Sequence, residues 1–397
     1  MDIFEDYKYG PRFSSRDYDE KGNVKTIRGT DISSFGDINY NQVPTARIED
    51  TIVENHVLKN GDLIMITTAD CGISGVFYEQ MIPYIASAYA IKLTPTNNID
   101  SQFIKYFMQS TNAINQVQSF VRKGTVANLP GSDVMHLRLN LPPLPEQIKI
   151  AKILSTWDKA ITTTEALIDN SKQQKKALMQ QLLTGKKRFP GFEGEWKDVS
   201  IGDLGTIYSG GTPNTSNKEY WDGGVDWITP TDITKQDNVY INSSVRQISQ
   251  DGLTNSSAKL VPKGSLLICT RATIGKMAIT SHEMCTNQGF KNIVPNKKTN
   301  IEFIYYLLTY KKHKLISKAS GSTFLEISKS AFESIKIRVS TIDEQQKIAS
   351  VLINADKEIE LLKQQLSDLQ QEKKALMQQL LTGKRRVKVD ESEAALT

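Results

Sequence analysis

The sequence predicts an α+β protein of two tandem domains, each built of mixed short strands and helices and followed by a long helix, with the two helices packing as an antiparallel coiled coil under pseudo-two-fold symmetry. Residues 175–186, Lys-Lys-Ala-Leu-Met-Gln-Gln-Leu-Leu-Thr-Gly-Lys, reappear unchanged at 373–384, 198 positions later. At the same offset Glu146, Gln147, Lys149, Ala151 and Leu154 meet Glu344, Gln345, Lys347, Ala349 and Leu352 without a gap, so the helix is duplicated in length as well as in sequence. The intervening segments consist of short apolar runs bounded by Gly, Asn and Pro, the pattern of small α+β domains.

In chain order the partition is a first domain over 1–141, a helix over 142–188, a second domain over 189–340, a helix over 341–386 and a disordered acidic tail over 387–397. Ile27-Arg28-Gly29-Thr30-Asp31-Ile32 lies against Ile228-Thr229-Pro230-Thr231-Asp232-Ile233, and the Gly61 to Gly72 spacing is matched by Gly264 to Gly275. Phe103-Ile104-Lys105-Tyr106 parallels Phe303-Ile304-Tyr305-Tyr306, a short helix in each copy. Loops 12–16 and 210–214 do not match. A common scaffold with divergent loops is what two readers of different targets require; drift after an old duplication gives the same pattern, but the helix ends drifted far less than the domains.

The helices carry a heptad seam, whose 4,3 spacing keeps one stripe against a partner helix. In the first copy it runs Ile150, Leu154, Trp157, Ile161, Thr164, Ile168, Ser171, Lys175, Leu178 and Leu182; in the second, Ile348, Leu352, Ala355, Ile359, Leu362, Leu366, Leu369, Lys373, Leu376 and Leu380. Pro145 at a tolerated first-turn position, Asp343 as a cap, and Gly185 and Gly383 past the last leucines mark the ends. About 39 residues at 1.5 Å each give a rod of roughly 58 Å, some 17 base pairs of B-DNA at about 3.4 Å per step. Lys172, Lys175, Lys176, Lys186, Lys187 and Arg188, and then Lys373, Lys374, Lys384, Arg385, Arg386 and Lys388, read as solvated helix faces or as contacts to an anion.

Composition narrows the function classes. With 397 residues, 39% apolar and 23% charged, the chain has material for two ordinary cores. No apolar run approaches the roughly 20 residues that span a bilayer, and the acidic start Met1-Asp2-Ile3-Phe4-Glu5-Asp6 is unlike a signal peptide, so a cytoplasmic location is expected. Cys71, Cys269 and Cys285 form no CxxC pair and the histidines do not cluster, which points to buried, inert thiols rather than disulfides or zinc. A net charge of +5 and a pI near 8.8 permit an anionic partner.

Catalytic signatures are missing: there is no GxxxxGK[ST] loop, no dinucleotide-type Gly-rich loop, no HExxH and no Asn-Pro-Pro-aromatic tetrapeptide. His56, His136, His282 and His313 stand alone in sequence, and Asp17 and Asp19 read as solvated loop charges. Binding is expected, not reaction.

The Pro142-Pro143-Leu144-Pro145-Glu146-Gln147 start and the Leu-Leu-Thr-Gly-Lys end, both duplicated in their key residues, resemble the DNA-specificity (S) subunit of type I restriction-modification systems, as do Lys263-Gly264-Ser265-Leu266-Leu267 and Gly321-Ser322-Thr323. The resemblance covers nearly the whole chain. It implies two target-recognition domains, each reading one half of a bipartite, asymmetric site on double-stranded DNA, with the helices setting the distance between halves. It further implies two methylation subunits docked on the chain, bringing S-adenosylmethionine and adenine methylation, and motor-nuclease subunits that cut unmodified DNA with ATP and Mg; no cofactor or metal is expected on this chain. Two alternatives are a specificity subunit for a fused methylase-nuclease and a coiled-coil adaptor that never touches DNA.

Base and phosphate contacts need Lys, Arg and polar side chains on the divergent loops. The candidates are Lys8, Arg12, Arg16, Arg28, Arg122 and Lys123 in the first domain, and Thr212, Asn214, Lys218, Arg271, Lys276, Lys318 and Ser322 in the second. Arg28, Arg271 and Lys276 lead because they neighbour matched scaffold positions. One departure stands out: the first domain begins near the equivalent of Tyr208, so its first strand is expected to be absent or supplied by the segment after Arg386.

Overall fold

The computed structural model describes residues 3–33, 35–235, 238–321 and 325–389. It divides into two compact units, Met1–Glu165 with Gln364–Thr397, and Ala166–Lys363. Each unit thus holds one domain together with part of both long helices.

In the first unit the elements are β1 (Phe4–Tyr9), β2 (Val24–Ile27), β3 (Thr45–Ala46), α1 (Asp50–His56), β4 (Leu63–Ile66), β5 (Ser74–Val76), β6 (Tyr84–Ala86), β7 (Ala90–Pro95), α2 (Ser101–Met108), α3 (Thr111–Phe120) and α4 (Gly131–Val134). They form an antiparallel sheet in the order β1-β7-β4-β5 and a smaller one in the order β3-β2-β6, in which β2 and β6 are parallel. The continuous apolar run of β4 is explained by burial on both faces. Leu63 and Met65 pack with Ile91, Leu93 and Phe107, while Ile64 and Ile66 pack with Ile27, Phe77 and Tyr84. Asp100 caps α2 by accepting from the Phe103 amide, and Ser110 caps α3 through Ala113.

The second unit follows the same plan with β8 (Lys197–Ser200), β9 (Gly205–Ser209), β10 (Trp221–Ile228), α6 (Pro230–Thr234 with its capping box at Thr229), β11 (Tyr240–Ile241), β12 (Gln247–Ile248), α7 (Gln250–Thr254), β13 (Leu266–Cys269), β14 (Met277–Thr280), β15 (Cys285–Thr286), β16 (Phe290–Pro295), α8 (Ile301–Tyr310), α9 (Lys312–Ile316), α10 (Lys329–Glu333) and β17 (Lys336–Val339). The sheets run β11-β14-β13-β16-β9 and β12-β10-β15, and β8 pairs with β17 as an added ribbon. Again the central strand splits two cores, Leu266 and Ile268 on one side, Leu267 and Cys269 on the other.

The expected loss of a first strand holds for β8: among the described residues neither it, nor its partner β17, nor the short β11 has a counterpart strand in the first domain. The strand that follows is kept, since β1 pairs with β7 in the way that β9 pairs with β16. The segment after Arg386 does reach the first domain, where Val387 packs with Leu139 and Leu141, so order extends past 387; residues 390–397 of the expected tail lie outside the described residues.

The long helices α5 (Leu144–Leu182) and α11 (Ile342–Leu380) have 39 residues each. Asp343 falls inside the first turn of α11 rather than at its cap, because the helix already starts at Ile342. Gly185 and Gly383 follow the last leucines at φ 70° and 74°, a left-handed conformation that glycine adopts without a Cβ clash. Within the first unit Arg386 clamps the Glu146 carboxylate with contacts of 2.6–3.0 Å and Lys373 meets Asp158, so the start of α5 lies beside the end of α11. Within the second, Arg188 holds Glu344 at 2.7 and 2.8 Å and Lys175 meets Asp356. The pairing is antiparallel in both. These four basic residues, read as solvated faces, are therefore ion-paired between the helices, Lys172 pairs with Asp169 on its own helix, and Lys175 and Lys373 occupy the seam itself.

The seam is closed most tightly where a domain helix joins it. Ile150 and Leu154 pack with Leu376, Leu380, Phe103 and Tyr106, and Leu178 and Leu182 with Ile348, Leu352, Phe303 and Tyr306. Ile161, Ile168 and Ile359 are also buried, whereas Trp157, Leu362, Leu366 and Leu369 are half-buried. Tyr106 donates to Asp158 and Tyr306 to Asp356, each at 2.6 Å, fastening domain helix, α5 and α11 through one carboxylate. Burial, reinforced by that acceptor, raises both phenol pKa values far above the ordinary range. The Gln of each Glu-Gln pair explains the rest of the motif. Gln147 donates to Asn98 O and Pro142 O and accepts from the Asp100 amide; Gln345 does the same with Lys298 O, Ser340 O and the Asn300 amide.

Three outcomes follow from this packing. Leu154→Ala and Leu352→Ala, both fully buried, are each expected to lower stability in chemical denaturation by about 2–5 kcal/mol. Gln147→Ala strands buried backbone groups and is expected to cost roughly 1–3 kcal/mol by the same assay. Arg386 and the Val387 amide hold the Glu146 pKa below its ordinary 4.5. A depressed folded-state pKa gives stability that is present above the unfolded value and lost as pH falls through the folded one, so Glu146→Gln is expected to flatten the decline of the melting temperature below about pH 5.

Candidate nucleic-acid interface

Strand ends converge on one edge of each domain. In the first, Tyr9 opposes Ile91, Ile66 opposes Ala90, and Ile27 opposes Ala86, so β1, β2, β4 and β6 all finish where β7 begins. The loops leaving these ends are tied together: Gly10 N donates to Ala90 O, Thr67 N to Tyr89 O and Ser87 N to Ile27 O, at 2.9–3.0 Å. The loop 122–128 folds back on this edge through the Thr68–Asn128 and Arg122–Asn128 bridges. The second domain repeats every tie: Gly210 N to Phe290 O, Thr270 N to Gly289 O, Asn287 N to Ile228 O, with bridges Arg271–Glu326 and Ser320–Glu326.

Backbone strain sits at the same point in both copies. Ala69 at φ 64° and Ala272 at φ 59° occupy the left-handed region at the tips of the β4–β5 and β13–β14 hairpins. A side chain there costs about 1–3 kcal/mol and persists only when its surroundings enforce it. For Ala69 they do, since its N–H donates to Ala127 O and Gly72 N closes the loop onto Ile66 O. Gly10 and Gly210 are needed for close approach, as a Cβ would lie 2.2 Å from Ala86 O and 1.7 Å from Asn287 O.

Of the candidate residues, Arg12, Arg28, Arg122, Lys123, Thr212, Asn214 and Arg271 belong to loops leaving this edge or folding onto it. Ser322 lies outside the described residues. Arg28 is less available than expected, because its guanidinium and backbone N–H both bind the buried Asp31 carboxylate at 2.8–3.1 Å. Arg122 lies 3.6 Å from Asp133. Lys8 is on β1 with its ammonium on Asn55 O, Arg16 and Lys218 are in one-turn 3-10 segments, Lys276 is on the returning arm of the hairpin and Lys318 follows α9. Exposed Tyr89, Val126 and Gln288 on the same edge were not singled out by the sequence. Their signal is positional, since Tyr89 and Gly289 are counterparts with unlike side chains on matched hydrogen bonds.

Other single groups also differ from expectation. Cys269 and Cys285 are buried but Cys71 is only half-buried, its thiol held up by burial and donating to Thr67 O. His282 is not isolated: its Nε2 is 2.8 Å from Asp226, whose carboxylate also takes bonds from Ser244 and Gln247. Asp17 caps the Ser14 turn and Asp19 pairs with Arg47, so neither is a plain solvated charge. No group of His, Cys, Asp and Glu suited to a metal occurs among the described residues, and no described helix is long and apolar enough to cross a membrane.

A family model for the type I restriction modification DNA specificity domain matches residues 1–171 and 193–371, and the chain belongs to that family. It is 39% identical over 173 residues to the type I restriction enzyme MjaIX specificity subunit of Methanocaldococcus jannaschii, covering 43% of this chain and 40% of that protein. It is 30% identical over 306 residues to the putative MjaX specificity subunit of the same organism, covering 74% and 70%. The first alignment thus spans less than half of that relative. Among solved structures, the fold is similar to the type I restriction-modification S subunit from M. genitalium, with a TM-score of 0.59, 15% identity and coverage of 96% and 94%. It is also similar to the HsdS subunit from Thermoanaerobacter tengcongensis, at TM-score 0.53, 19% identity and 90% coverage of each chain.

If the left-handed alanines are strained, Ala69→Gly and Ala272→Gly are expected to leave stability unchanged or raise it by up to about 1 kcal/mol, measured by denaturant titration. A loss of stability at both would contradict the strain.

Proposed function

We propose that this chain is the non-catalytic DNA-recognition subunit of a type I restriction-modification complex, each domain reading one half of a bipartite, asymmetric site in double-stranded DNA. The observation that carries the reading is the edge described above: one set of strand ends and loop ties, present in both domains, dressed with different side chains. Arg12, Tyr89 and Arg122 in one domain stand where Thr212, Gly289 and Ser320 stand in the other. Membership in the specificity family supports it. The same backbone platform with unlike polar groups is what two readers of different sequences need, since phosphate contacts position a protein and side chains at base edges specify. The long helices would hold the two readers at a set spacing and offer docking surfaces to two methylation subunits. Those subunits would bring S-adenosylmethionine and the adenine chemistry, and motor-nuclease subunits would bring ATP, Mg and cleavage.

Co-expression with the adjacent methylation subunit, followed by single-molecule sequencing of genomic adenine methylation, tests this. One two-part motif with a fixed gap is expected, and exchanging residues 1–140 for those of another family member should change one half only. A stable complex with no motif would contradict the reading. At the level of single residues, Lys123→Ala is expected to weaken binding to all sequences and flatten the salt slope by about one unit, whereas Arg271→Ala is expected to relax one base position by roughly 1–3 kcal/mol.

A further inference from the structure

We infer that Gln288, oriented by Thr212, reads an adenine in the half-site bound by the second domain; the inference rests on the DNA-recognition reading and names a base contact within it. Gln288 is exposed at the tip of the turn joining β15 to β16, on the edge where the strand ends meet. Its side-chain oxygen accepts a hydrogen bond from the Thr212 hydroxyl. With Oε1 on the hydroxyl, the second lone pair of Oε1 and both Nε2 hydrogens are left for a partner.

Both sides of this pair are held from beneath. The turn is fixed because the Asn287 side chain accepts from the Gly289 amide at 2.9 Å, while Gly289 O takes the Thr270 amide and hydroxyl at 2.8 and 3.2 Å. The loop carrying Thr212 is pinned by two tryptophans: Trp227 Nε1 donates to Gly211 O at 2.8 Å and Trp221 Nε1 to Asn214 O at 3.2 Å. Their rings meet edge-to-face at 5.1 Å, and the Arg246 guanidinium stacks 3.9 Å above Trp221. Gly211 leaves no room for drift, since a Cβ there would lie 2.2 Å from the Ala258 amide. A base-reading group gains specificity when its rotamer is locked in advance.

An amide presented in this way matches the major-groove edge of adenine, with Oε1 accepting from N6 and Nε2 donating to N7. Guanine offers two acceptors there and would face the amide oxygen with O6. In the first domain the counterparts are Ala88 and Arg12, which cannot form such a pair, so the effect belongs to one half-site.

The test uses the complete methylation complex and a set of duplexes in which each position of the wild-type motif carries each alternative base pair. Gln288→Ala is expected to lose discrimination at a single A·T position of the second half-site by roughly 5- to 150-fold, the worth of one bidentate contact, with the other half-site unchanged. Thr212→Val, which frees the amide, is expected to relax the same position by less. If Gln288→Ala abolishes binding altogether, Thr212→Val decides: relaxation at one adenine supports the assignment, and an even loss over all positions overturns it. A second half-site without an A·T pair, or unchanged discrimination in Gln288→Ala, would also overturn it while leaving the DNA-recognition reading intact. A wild-type complex with no motif would sink that reading and this inference together.

Discussion

A buried carboxylate at the start of each long helix must be met by an arginine from the end of the other. Glu146 and Glu344 are almost fully buried, and their partners are Arg386 and Arg188. An unpaired charge in such a place is strongly destabilising, so each domain requires both helices to be complete. This requirement turns two modest sequence motifs into two halves of one device. The Glu-Gln pair at a helix start takes an arginine through its first residue and fastens the preceding domain through its second. The Leu-Leu-Thr-Gly-Lys ending stops the helix at a left-handed glycine and delivers that arginine. Tyr106-Asp158-Lys373 and Tyr306-Asp356-Lys175 repeat the logic about three turns further along, with a lysine in the apolar seam wherever a carboxylate must be neutralised.

On this foundation the domains separate stability from recognition. Their cores are built by a central strand buried on both faces, and the ties between strand ends are hydrogen bonds of the backbone. Side chains at the edge are therefore free to change without altering the platform, which is the property a specificity protein needs. The left-handed alanines at both hairpin tips show that the platform is held tightly enough to keep a conformation that most residues avoid. In the second domain the pinning goes further, with two indole N–H groups serving the loop next to the edge.

How much of this was legible in the sequence depended on the range of the interactions. The helices were readable because a heptad period and an exact repeat are local signals, and both give the length of 39 residues that the structure has. The matched loops around Gly72 and Gly275 were readable because glycine spacing survives divergence. The pairing of Arg188 with Glu344 was not, because 156 residues separate them and nothing local marks the arginine as buried. Arg28 looked available because it neighbours a matched turn, yet the residue that occupies it, Asp31, is three positions away and serves as the cap of that turn. Gln288 escaped notice since its partner Thr212 lies on a different strand end. The match of β1 to β9 rests on pairing register, which no residue pattern reports.

We propose that one edge of each domain, where the strand ends meet, is the surface that faces DNA. Hydrogen exchange of the methylation complex with and without its cognate duplex tests it most directly. New protection is expected at residues 10–12, 67–72, 87–90 and 122–128 and at their counterparts 210–214, 270–275, 287–290, 320–321 and 325–326, with the sheet edges at β5 and β11 unchanged. Protection confined to other faces of the domains, with these loops exchanging as they do without DNA, would contradict it.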